Sequence, residues 1–70
     1  MVFELAFCDD YRQELEFYCP EKDGEVFADI SEAYDPSVGE YDDGKVEELV
    51  NRTFGELFGE DFGRSVFWRW

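Results

Sequence analysis

Apolar and polar residues alternate from Val2 to Phe7, with Phe3, Leu5 and Phe7 on one side and Glu4 on the other. A period of two with large apolar residues predicts a half-buried strand. Cys8-Asp9-Asp10-Tyr11 is turn-like, and alternation resumes from Gln13 to Tyr18, where Leu15 and Phe17 oppose Glu14 and Glu16. Pro20 closes that run, because proline cannot donate to a sheet ladder. Lys22-Asp23-Gly24 is a strong turn signal. A third strand is expected over Glu25 to Ile30, with Val26, Ala28 and Ile30 inward and Phe27 outward. Three runs this close in sequence suit an antiparallel meander.

The pattern dissolves between Ser31 and Gly44, where Pro36, Gly39 and several aspartates mark a long acidic connection with a short helical turn at Ser31 to Tyr34. Lys45 to Phe58 then reads as a helix. Val46, Leu49, Val50, Thr53, Phe54, Leu57 and Phe58 recur at three and four, a broad apolar stripe that must cover something. Asp42 or Asp43 can accept from the free amides at its start, and Gly59 is a natural left-handed stop. Phe54-Gly55, Phe58-Gly59 and Phe62-Gly63 form a four-residue repeat. Continuing the helix through it would cost roughly 1 kcal/mol per glycine, so Phe62-Gly63 is expected in a turn. Ser65 to Trp70 suits a last strand, with Val66, Trp68 and Trp70 on one face.

The order is therefore β-β-β-α-β. A one-sided sheet and an amphipathic helix bury their apolar faces most simply against each other. The expected fold is a small two-layer α+β domain over residues 1–70, an antiparallel sheet of three to four strands with one helix packed on it.

Composition sharpens this picture and strains it. Aromatics are 20% of the chain, with eight Phe, four Tyr and two Trp, enough large rings to fill a small core. Nineteen acidic against six basic residues give a net charge of −13. Self-repulsion of that size opposes compaction, so low salt should weaken the fold. Acidity also disfavours anionic membrane surfaces and direct binding to nucleic-acid phosphates, which is driven by Lys and Arg. No apolar run approaches the roughly 20 residues of a membrane span. With no basic, apolar leader pattern at Met1 to Phe7, a soluble cytoplasmic protein is expected. Cys8 and Cys19 fit neither a redox pair nor a zinc site; they read as two small buried residues on neighbouring strands.

Chemistry is scarce. The chain has no histidine, the commonest general base and metal ligand. No serine stands in a nucleophile elbow, and the Phe-Gly repeats lack the Lys-Ser/Thr ending of a phosphate loop. Around Gly44 the calcium-loop register fails, with Gly39 first, Tyr41 third and Val50 last. Neither an enzyme nor a resident metal or cofactor is expected.

The carboxylates are what remain. Glu14 and Glu16 share one face of a strand, about 6–7 Å apart. Asp42, Asp43, Glu47 and Glu48 gather where the helix begins. Glu56, Glu60 and Asp61 carry acid past its end, where the helix dipole disfavours anions. The net charge exceeds the magnitude of about 2–8 that keeps a small domain soluble. Small size, extreme acidity, one domain and no catalytic residues resemble the phage-type DNA-mimic inhibitors, including many anti-CRISPR and anti-restriction proteins. The resemblance lies in overall composition and rests on no motif. It implies a rigid anionic array that occupies the basic groove of a nucleic-acid-binding partner, such as a CRISPR effector or restriction enzyme in a host cytoplasm. The alternative is an interaction module, or a homo-oligomer, that seats a partner or a second copy on Phe67, Trp68, Arg69 and Trp70.

Overall fold

The computed structural model covers residues Met1 to Trp70. Three strands follow in sequence, β1 (Val2–Asp9), β2 (Glu14–Cys19) and β3 (Gly24–Asp29). Adjacent members pair antiparallel. A 3-10 turn (Ser31–Ala33) leads into a two-residue hairpin, β4 (Tyr34–Asp35) and β5 (Glu40–Tyr41), then helix α1 (Asp43–Phe58), a second 3-10 turn (Gly59–Asp61) and β6 (Phe67–Arg69). The main sheet has the order β3-β2-β1-β6, with β4 and β5 forming a small second sheet. This is the expected two-layer α+β arrangement. No helix is long and apolar enough to cross a membrane.

β6 departs from the expected antiparallel sheet, since it joins β1 in parallel, with Val2 opposite Phe67 and Glu4 opposite Arg69. The cause is the helix. It packs Phe54 and Phe58 against Phe3, near the start of β1, so α1 runs back against the direction of β1. The chain leaves it at the starting end of that strand.

A second correction concerns β1. The pairing shifts between Leu5, opposite Phe17, and Phe7, opposite Glu16. One extra residue, Ala6, bulges there and reverses which side later residues face. Phe3 and Leu5 point to the helix side as expected. Phe7 does not: it shares the outer face with Phe27 and is 58% exposed. Cys8 turns inward in its place, opposite Leu15.

The core lies between the sheet and α1. Phe17 and Phe54 are fully buried and meet edge to face at 5.6 Å. Phe3, Phe58, Phe62 and Trp68 complete the ring cluster around them. Val26, Ala28 and Ile30 supply the β3 side, and Val46, Leu49 and Val50 the helix side. Leu57, expected in the helix stripe, is instead 60% exposed.

Helix limits follow from its caps. Asp42 Oδ1 accepts from Gly44 N at 3.0 Å and Lys45 N at 3.3 Å, so the helix begins at Asp43, two residues before the periodicity does. Gly59, at φ +57°, ends it. Phe62-Gly63 forms the expected turn, with Gly63 at φ +89°. Cys8 and Cys19 are both free thiols; Cys19 is buried as expected, but Cys8 is exposed.

Candidate functional site: the open sheet face

Helix α1 covers one side of the sheet and leaves the other bare. Because neighbouring strands run in register, the bare side is organised in rows. Asp9, Glu14 and Asp29 stand side by side on β1, β2 and β3. With strands about 4.8 Å apart, three carboxylates fall within roughly 10 Å. The next row is Phe7, Glu16 and Phe27, a carboxylate between two half-exposed rings. A third places Tyr18 between Glu4 and Glu25, with Arg69 beyond Glu4.

Like charges directly opposite on a sheet are destabilising, so the first row needs a reason. Two members have a local one. Asp9 Oδ1 accepts from Tyr11 N and Arg12 N, both at 3.0 Å, and so holds the β1–β2 turn. Asp29 Oδ1 accepts from Ser31 N at 2.8 Å and starts the 3-10 turn. That backbone bond, joined by the Ser31 hydroxyl, holds the Asp29 carboxyl below the usual range. Glu14, between them, forms no hydrogen bond or ion pair.

Cations do little to break this face. The ion pairs are Lys45–Glu48, Arg52–Glu48, Arg52–Glu32 and Arg69–Glu4. Arg69 is thus the one base paired on the bare side, bonded through Nε and Nη2 to Glu4. Arg12 borders the Glu14–Glu16–Phe27 hollow from the β1–β2 turn but forms no ion pair.

The nine carboxylates singled out from sequence do not form one array. Glu14 and Glu16 lie on the bare face. Asp42, Asp43, Glu47, Glu48 and Glu56 belong to the opposite layer, on or beside α1, while Glu60 and Asp61 follow its far end. Sixteen helical residues separate those ends by about 24 Å. Asp42 is occupied as the cap, and Glu48 is shared between Lys45 at 3.6 Å and Arg52 at 3.9 Å. Acids outnumber bases on both layers: α1 carries Lys45 and Arg52, both paired, and the sheet face has Arg69, paired with Glu4, and Arg12, which forms no ion pair beside Asp9, Glu14 and Glu16.

Sequence reasoning put Phe27 outward, as it is here, but did not name Asp9, Asp29, Glu25 or Phe7 as members of this face. Alternation with Phe27 already put Glu25 and Asp29 outward. Asp9 and Phe7 were hidden by the bulge at Ala6, which carries no mark in a single sequence. No group of His, Cys, Asp or Glu side chains is placed to hold a metal ion. The chain matches no protein-family model, curated protein or solved structure in the comparisons made.

Proposed function

We propose that this protein is a non-catalytic inhibitor that covers the basic nucleic-acid-binding surface of a partner protein, using the bare sheet face as its contact. The observation that carries the reading is the Asp9–Glu14–Asp29 row. Glu14 repels both neighbours and bonds to nothing, so it works against the fold that holds it. A groove lined with Lys and Arg would relieve that repulsion on binding, and long-range attraction would speed the encounter. The Phe7–Glu16–Phe27 row suits Arg in particular, whose guanidinium pairs with a carboxylate while stacking on a ring. A CRISPR effector or a restriction enzyme meets these requirements, and the site of action is then the host cytoplasm.

Affinity capture from a bacterial lysate at low salt tests this, with stepwise elution by rising salt. Basic nucleic-acid-binding proteins should elute late from the native protein and be absent from a Glu14→Lys/Glu16→Lys column. Retention of the same proteins by both columns would remove the bare face from the account.

The second reading, contact through the aromatic end of the chain, is favoured by one feature. Trp70 is 59% exposed and stacks edge-on against Trp68 at 4.8 Å. Such a contact responds weakly to salt, where the carboxylate face responds steeply.

A further inference from the structure

On its covered side the sheet is not fully covered. Helix α1 packs on β3, on Phe17 of β2 and on Phe3 at the start of β1, and leaves Leu5 and Cys8 further along β1 exposed. Between them, Leu15, Ile30, Tyr41 and Val46 on one side and Trp70 on the other, there is an apolar hollow of about 480 Å³. Its one acidic lining residue is Asp43 at the helix start, and no cation lines it. Cys8 and Asp9 are neighbours on opposite faces of β1, so the hollow and the carboxylate row wrap the same end of the sheet.

We infer that this hollow receives one apolar side chain, aromatic or branched aliphatic, from a Lys- and Arg-rich segment of the partner protein. This rests on the function proposed above and adds its anchor. Charge complementarity selects the occupant. Asp43 lines the hollow, Asp10 lies 3.7 Å from Cys8 Sγ at its edge, and the whole chain carries −13. A second copy would bring the same acids against their equals, so a homodimer through this surface is opposed. A basic segment meets attraction at the rim and an apolar seat within, the arrangement in which a central buried anchor carries most of the binding energy.

The test uses two fluorescein-labelled peptides of equal charge, Lys and Arg residues around one central Phe, or around one central Ser. By anisotropy at low salt, the Phe peptide should bind on the order of tenfold more tightly, the return from burying one large apolar side chain. Trp70→Ala should erase that difference and leave the Ser peptide's affinity unchanged. The Phe peptide should also slow alkylation of Cys8 by iodoacetamide, with the buried Cys19 as the internal control. Equal, salt-sensitive binding of both peptides would overturn the anchor while sparing the acidic face. Binding of neither would overturn both. A Phe preference that survives Trp70→Ala, with Cys8 unprotected, would place the apolar contact elsewhere. Concentration-dependent dimers that vanish in Trp70→Ala would give the hollow to a second copy and overturn the inference.

Discussion

Glu14 is half-buried between two carboxylates and lacks any bonding partner, so its charge costs the fold stability. Glu14→Gln is expected to raise stability by about 0.2–1 kcal/mol, the size of a cross-strand like-charge pair, measured by urea denaturation. Exposed acids on α1 offer a comparison: Glu47→Gln should change stability by less than about 0.5 kcal/mol. Cys8 gives a second check. Partial burial, then the charge of Asp10 and the 3.7 Å bond to it, and then Asp9, push the thiol above its usual range. It should alkylate more slowly at pH 8 than a free cysteine, and Asp10→Asn should speed it. Asp29 and Asp35 shift the other way, each held low chiefly by bonds from the serine two residues on. A depressed carboxyl stabilises the fold above its unfolded value and loses that contribution as pH falls through the folded one. Their share of stability therefore disappears only in acid, as pH falls below the ordinary aspartate value. An NMR titration should show both carboxyls protonating below that value.

At the scale of elements, the main strands and the helix were legible, whereas the bulge in β1, the parallel entry of β6 and the β4–β5 hairpin were not. Alternation located β2 and β3 and their inward residues, because Leu15, Phe17, Val26 and Ala28 have no role except to meet a helix. Asp42 and Gly59 marked the helix ends through the same chemistry that caps them here. What could not be read was geometry between elements. The shift at Ala6 depends on how β1 fits β2, and it moved Phe7 and Asp9 onto the bare face. The parallel entry of β6 depends on the direction of α1. Leu57 fits the helical period, yet the helix outruns its cover there. Phe54→Ala should accordingly cost about 3–5 kcal/mol, whereas Leu57→Ala should cost under about 0.5 kcal/mol. Thermal unfolding followed by far-UV circular dichroism distinguishes the two.

Across the whole molecule, charge and core oppose each other. Thirteen buried apolar residues hold together a chain whose net charge is −13. Only four ion pairs, none of them buried, are present to be weakened by salt. Screening therefore removes more repulsion than attraction, and the unfolding temperature should rise as sodium chloride goes from about 10 mM to 0.5 M. Partner binding should move in the opposite direction over the same range, since it depends on the unscreened field.

The most direct measurement is displacement of a fluorescent DNA duplex from a nucleic-acid-binding partner captured at low salt. The native protein should release the DNA, and the Glu14→Lys/Glu16→Lys protein, folded and no less stable, should leave it bound. A ternary complex in which partner, DNA and this protein coexist would contradict the account, because the carboxylate rows could then not be standing where phosphates stand.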